Sequence, residues 1–122
     1  MTKYRAQPQV GKRNKYGAKK VVMDGLKFDS VREASRWNDL KWLEDGGVIS
    51  QLERQVTYVL APAVNLHGET RKKTALRYVA DFRYRDENGN TVVEDAKGRD
   101  TPVSRIKRHL MKSVHGIDVR LS

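Results

Sequence analysis

Residues 75–97 read Ala75-Leu76-Arg77-Tyr78-Val79-Ala80-Asp81-Phe82-Arg83-Tyr84-Arg85-Asp86-Glu87-Asn88-Gly89-Asn90-Thr91-Val92-Val93-Glu94-Asp95-Ala96-Lys97. Ala75 to Tyr84 and Thr91 to Lys97 are rich in the β-branched and aromatic residues of strands, and Asn88-Gly89 between them is a strong hairpin-turn signal, so the stretch predicts an antiparallel pair. Asp81 interrupts the apolar and aromatic run of the first strand, where a buried carboxylate is costly unless it is paired or metal-bound. On the second strand, the period of two puts Asp95 and Lys97 on one face and Glu94 on the other.

Two carboxylates on neighbouring strands supply the hard oxygen ligands that Mg²⁺ or Mn²⁺ takes, and the backbone carbonyl of Ala96 offers a further one. Lys97, two residues beyond Asp95, is placed to orient or help deprotonate an attacking water, or to stabilise charge developing on a phosphate. The four residues expected to do chemistry are therefore Asp81, Asp95, Lys97 and, from the preceding helix, Glu33.

That helix is predicted from Ser30 to about Asp45, stopped by Gly46-Gly47. Val31, Ala34, Trp37, Leu40 and Leu43 recur at helical spacing and predict its buried face. Glu33 shares that face with Trp37 and Leu40, at i+4 and i+7, so it should point towards the sheet as a metal or water ligand. A capping box with Ser30 accounts for the same glutamate without a metal.

Further out, Val21-Val22-Met23 and Leu26-Lys27-Phe28 flank Asp24-Gly25 as a short hairpin. Val56 to Ala61 reads as a strand and 62–74 as a polar loop. Pro102 suits the first turn of a second helix whose buried stripe is expected to be Val103, Ile106, Leu110 and Val114, ended by Gly116. Ile117, Val119 and Leu121 then alternate as a half-buried strand does. The expected fold is α/β of the α+β, mixed-sheet kind, in the order hairpin-α-β-β-β-α-β. Residues 1–20 are expected to be a flexible basic arm and 21–122 a single domain.

The 122 residues leave room for one domain, and 38% apolar content suits a globular one. Lys and Arg number 25 against 15 Asp and Glu, a formal charge of +10, which implies a polyanionic partner, with nucleic acid first among them. Charge alone does not separate an enzyme from a binding module. The absence of cysteine rules out disulfides, thiol nucleophiles and cysteine zinc sites. His67, His109 and His115 are too scattered for a zinc or histidine-nuclease site. With no apolar run approaching the ~18 residues of a membrane span, a cytoplasmic protein is expected.

DNA contact is expected from Lys12, Arg13, Lys15, Lys19 and Lys20 in the arm, from Arg71, Lys72 and Lys73 in the loop, and from Arg99 beside the site. Arg105, Arg108 and Lys112, at i, i+3 and i+7 on the second helix, complete the set. Such contacts position a phosphate backbone without reading sequence.

Taken together, the element order with Glu33, Asp81 and Asp95-Ala96-Lys97 resembles the core of the PD-(D/E)XK nuclease superfamily, with Ala80 in place of the proline. More narrowly, Asn14-Lys15-Tyr16-Gly17-Ala18-Lys19-Lys20, Phe28-Asp29-Ser30 with Arg32-Glu33-Ala34, Tyr78-Val79-Ala80-Asp81-Phe82 and Val93-Glu94-Asp95-Ala96-Lys97-Gly98 are similar to a family of small phage and prophage endonuclease-like proteins. The resemblance implies a Mg²⁺-dependent nuclease of phage DNA metabolism that acts on duplex or branched DNA such as a Holliday junction. It further implies a homodimer, the common state of such enzymes, and places Gln55 near the site, although an exposed strand-start residue is the plainer reading of that glutamine. The alternative is a non-catalytic nucleic-acid-binding accessory protein on a nuclease-like fold.

Overall fold

In a computed structural model of the chain the elements are β1 (Gln9–Arg13), β2 (Lys19–Met23), β3 (Leu26–Phe28), α1 (Val31–Asp45), β4 (Ser50–Ala61), β5 (Leu76–Arg85), β6 (Thr91–Asp95), α2 (Pro102–His115) and β7 (Arg120–Leu121). The structure describes residues 9–13, 19–72, 74–97 and 99–122, with side chains from residue 20 onward. Strands β1-β2-β3 form an antiparallel sheet, and β4-β5-β6-β7 form a mixed one in which only β7 runs parallel to its neighbour. The expected α+β class with a mixed sheet is therefore observed, and no helix among the described residues is long and apolar enough to cross a membrane.

The boundary expected at residue 20 is crossed. β1 lies within the stretch read as an arm and pairs with β2, Val10 opposite Val21, because a strand's backbone groups are satisfied by a neighbour however charged its side chains are. Asp24 and Gly25 take φ of 53° and 75°, the pair of left-handed residues that a tight hairpin requires. At the second hairpin only Gly89 is left-handed, and Asp86 Oδ1 accepts from the N–H groups of Asn88 and Asn90 at 2.9 Å each, so an aspartate-stapled loop replaces the expected two-residue turn.

Two apolar clusters lie on opposite faces of the mixed sheet, because the adjacent residues Val92 and Val93 of β6 belong one to each. The first joins Val21, Met23 and Phe28 of the small sheet and Ala34, Trp37 and Leu40 of α1 to Phe82, Tyr84 and Val92. The second joins Leu60, Tyr78, Ala80 and Val93 to Met111 of α2 and Val119. Phe82 and Ala80 have the same strand parity yet belong to different clusters, so the inward face of β5 changes layer at Asp81. β4 changes in step between Leu52 and Tyr58, around Gln55, whose φ is 56°.

Some expected core positions are not core. Val31 and Leu43 of α1 are exposed, and most of the stripe expected to bury α2 faces outward: Val103, Ile106 and Val114 are 62%, 59% and 52% accessible, and of the four only Leu110, half-buried, packs against the second cluster. Met111 and Ser104 face the sheet instead. The physical reason is polar anchoring. His115 Nε2 lies 2.7 Å from the Val59 carbonyl of β4, which holds the helix's rotation on the sheet independently of its apolar periodicity, while Arg108 donates to Asp100 Oδ2 at 2.6 Å just before the helix. After α2 the strand shrinks to Arg120–Leu121, with Val119 buried and Leu121 exposed.

Candidate active site

The change of layer on β4 and β5 builds the site. Arg54 pairs with Phe82 and Val56 with Ala80, so Gln55 and Asp81 occupy the level between those pairs. Towards β6 the ladder ends at Phe82 and Glu94. Beyond that pair, side chains replace it: the Asp81 N–H donates to Asp95 Oδ1 at 2.8 Å, and the Ala96 N–H donates to Asp81 Oδ2 at 3.0 Å. Each aspartate satisfies a backbone donor at the end of the pairing, and the two carboxylates are thereby fixed side by side.

Asp95 is almost fully buried, and its other oxygen, Oδ2, accepts from the Tyr78 hydroxyl. Burial first, and then the hydrogen bond to Asp95 and its charge, push the Tyr78 hydroxyl well above its ordinary pKa, so it stays a donor. Lys97 Nζ lies 4.0 Å from Asp95 Oδ2 with its side chain one-third exposed, the position expected of it. Across Asp95, the main chain is held by Ser122, whose N–H donates to the Asp95 carbonyl at 2.8 Å.

Glu33 closes the helix cap through its backbone and also turns its carboxylate towards the sheet. Ser30 Oγ accepts from the Glu33 N–H at 3.1 Å as the helix cap, but the carboxylate reaches past Ser30 to the Asp29 N–H at 3.3 Å and accepts from Gln55 Nε2 at 3.0 Å. Arg54 approaches Glu33 Oε1 at 3.8 Å, while donating to the Lys27 carbonyl at 2.7 Å and lying 4.3 Å from the centre of the Phe28 ring. Gln55 is thus exposed, as its plainer reading had it, yet it is a mid-strand residue that contacts Glu33.

The field in the site is negative. Burial pushes the Asp81 carboxyl up to about 7, and the charges of Glu33 and Asp95 push the same way, against the weaker pull of the Ala96 N–H and of Lys97. Glu33 is also raised, chiefly by burial. A carboxylate cluster that resists full ionisation is short of positive charge. Among the described residues, no group of three or more histidine, cysteine or acidic side chains is set to hold a metal.

Glu94 faces away from this cluster, as the alternation requires. It is buried and takes a two-pronged ion pair from Arg36, with Arg36 Nη2 at 3.1 Å from Oε2, and a 2.6 Å hydrogen bond from the Tyr84 hydroxyl. Arg36 lies one turn after Glu33, so the pair clamps α1 to β6 and sets where Glu33 stands above the sheet. Tyr78, Arg36 and Arg54 were not anticipated from the sequence. Tyr78 carried one usable signal, a buried aromatic with a polar tip three residues from Asp81.

The cations expected on DNA divide. Lys20, Arg71, Lys72 and Arg99 are exposed. Arg105 and Arg108 instead pair with Asp100 at 3.7 and 2.6 Å, and Lys112 with Asp118 at 3.6 Å. Lys15 and Lys73 lie outside the described residues, as do the side chains of Lys12, Arg13 and Lys19.

No curated protein and no solved structure matches the chain. One family model matches residues 13–122, almost the whole length. The chain belongs to DUF1064, a family of proteins of unknown function.

Proposed function

We propose that this chain is a Mg²⁺- or Mn²⁺-dependent DNA endonuclease of the PD-(D/E)XK kind, acting on phosphodiesters of duplex or branched DNA in phage recombination or processing within the host cytoplasm. The observation that carries the reading is the reciprocal Asp81–Asp95 pair, with Lys97 beside it and the charge of Glu33 reaching it, in a chain of net charge +10. The element order α1-β4-β5-β6-α2-β7 and the parallel β7 support the same reading.

The donor chemistry suits a hard divalent cation. Two carboxylates and the neighbouring Ala96 carbonyl are oxygen donors, and Mg²⁺ is usually held by one or two carboxylates with water and substrate phosphate completing its shell, not by an all-protein cage. When bound, such an ion would supply Lewis acidity towards a phosphate oxygen and lower the pKa of water. The protein's own parts do the rest. Asp95 is fixed by Tyr78 and the Asp81 N–H; Lys97 is placed to orient or deprotonate the attacking water; Glu33 and Gln55 form a polar wall on the α1 side. Exposed cations such as Arg71, Lys72 and Arg99 would bind backbone phosphate.

A second reading, a non-catalytic DNA-binding accessory protein, is favoured by the lack of a three-ligand metal group among the described residues. One experiment separates the two: incubation of supercoiled plasmid, linear duplex and a four-way junction with Mg²⁺, Mn²⁺ or EDTA, comparing wild type, Asp81→Asn and Lys97→Ala. The nuclease reading expects metal-dependent cutting that falls by about 10²–10⁴-fold in Lys97→Ala and is lost in Asp81→Asn. DNA binding without cutting in every lane would establish the accessory role.

A further inference from the structure

The β5–β6 ladder ends at Phe82 and Glu94, so Asp95, Ala96 and Lys97 run on without β5 as a backbone partner. On the β5 side the Asp81 and Asp95 carboxylates stand in for the ladder. On the other side the hold comes from Ser122, just past β7. Its N–H donates to the Asp95 carbonyl at 2.8 Å, and its carbonyl accepts from the Lys97 N–H at 3.2 Å. These bonds carry the parallel register, Glu94 opposite Arg120 and Asp95 opposite Leu121, one step further, so that Ser122 straddles Ala96.

A residue straddled in this way presents its own N–H and C=O to the opposite edge. The Ala96 N–H does so, donating to Asp81 Oδ2 at 3.0 Å, and the Ala96 carbonyl is therefore turned to the Asp81 edge as well. Arg32 secures the arrangement from α1: its Nη1 lies 3.3 Å from the Ser122 carbonyl, which accepts from Lys97 and Arg32 together. Because Arg32 immediately precedes Glu33, the contact ties the helix that carries Glu33 to the segment that carries Lys97. Arg36, one turn further along α1, takes Glu94 in the same manner.

The two holds differ in kind. The Asp81 and Asp95 oxygens are the groups a divalent cation would draw on, whereas the Ser122 backbone takes no part in binding one. Ser122 can therefore keep residues 95–97 in place while the carboxylates are engaged. We propose that Ser122 is a positioning residue of this site: its backbone, steadied by Arg32, holds the Ala96 carbonyl on the Asp81 edge and Lys97 beside Asp95. The inference rests on the nuclease reading above.

The test uses the whole chain and reads Mn²⁺ affinity by calorimetry beside metal-dependent plasmid cutting. Ser122→Pro deletes the N–H that meets the Asp95 carbonyl and should weaken Mn²⁺ binding about tenfold and cutting by at least as much. Ser122→Ala keeps both backbone bonds and should stay within about twofold of wild type, while Arg32→Met should weaken Mn²⁺ binding about threefold. Val119→Ala removes packing from the second apolar cluster without touching these bonds; it should lower Tm and leave Mn²⁺ affinity unchanged, which separates positioning from stability. A wild type that binds and cuts, with Ser122→Pro and Arg32→Met at its level, overturns the inference alone. So does equal weakening in Val119→Ala, or in Ser122→Ala. A wild type that neither binds Mn²⁺ nor cuts overturns the nuclease reading and this inference with it.

Discussion

Asp81 and Asp95 close the end of the β5–β6 ladder with their side chains: the Asp81 N–H donates to Asp95, and the carboxylate of Asp81 takes the N–H of Ala96, the residue after Asp95. Folding of the hairpin therefore brings two like charges together as a by-product of satisfying two backbone donors. Burial, and then the charges of Glu33 and Asp95, outweigh the hydrogen bond from the Ala96 N–H and the pull of Lys97, which is why the Asp81 carboxyl stands at about 7.

A carboxyl raised from 3.8 to about 7 keeps its proton in the folded state over a range where the unfolded chain has lost it. Its contribution to stability is therefore complete below pH 4 and is lost as the pH rises through about 7. Asp81→Asn, which keeps an acceptor for the Ala96 N–H, should raise Tm by about 2–5 °C at pH 8, with the gap closing near pH 4. Thermal melts across pH check this; an equal gap at both pH values would show that Asp81 is not under charge stress. If Mg²⁺ binds here, it should raise the wild-type Tm more at pH 8 than at pH 5, where protons compete for the same oxygens, and EDTA should erase the difference.

Tyr78 fixes the orientation of Asp95 from beneath the site. Tyr78→Phe keeps the ring in the second apolar cluster and removes only the hydroxyl, at a cost of about 1–2 kcal/mol, because one oxygen of a buried carboxylate loses its donor. A group that orients a ligand typically alters metal affinity by about 10–100-fold, so calorimetric titration with Mn²⁺ should show weakening of that order, beyond what the melt alone accounts for. Unchanged affinity would reduce Tyr78 to a packing residue.

Much of this site was legible before any coordinates. Period-two alternation placed Asp95 and Lys97 together and Glu94 opposite, and helical spacing turned Glu33 inward; the hydrogen bonds and ion pairs agree with each. What was not legible depends on contacts distant in sequence. The change of layer at Asp81 and Gln55 accompanies a left-handed Gln55 in β4, a strand in which Gln51 is left-handed too, and no propensity marks a glutamine for φ of 54° or 56°. The same limit applies to α2: its sequence defines an apolar face, but the contact of His115 with the Val59 carbonyl of β4 and the burial of Met111 mark the side that meets the sheet.

Arg36 and Glu94 join α1 to β6 inside the first apolar layer. Burial raises the Glu94 carboxyl, but hydrogen bonds from Arg36 and Tyr84 outweigh it and leave the group below its ordinary value, so its stabilisation is present at neutral pH and lost on acidification. Arg36→Met should destabilise by about 3 kcal/mol, since it strands a buried charge, whereas removing all three polar groups together in Arg36→Met/Glu94→Leu/Tyr84→Phe should cost less than the single change. Urea melts of the two variants decide it. If the triple variant is the less stable, the network stabilises the fold in its own right.

The division among the basic residues predicts how DNA binding responds to salt. Each cation that releases a counterion from the duplex adds roughly 0.9 to the slope of log K against log salt concentration. Arg71, Lys72 and Arg99 are exposed, so alanine at each should lower the slope by about 1 and weaken binding to all sequences alike. Arg108 spends its charge on Asp100 and has a side chain only 22% accessible. Arg108→Ala should therefore leave the slope nearly unchanged while lowering Tm, because it frees α2 from its N-terminal anchor. Fluorescence anisotropy on one duplex at several salt concentrations separates the cases. A slope that falls by a full unit in Arg108→Ala would show that DNA pulls this arginine off Asp100, and the binding face would then extend over α2.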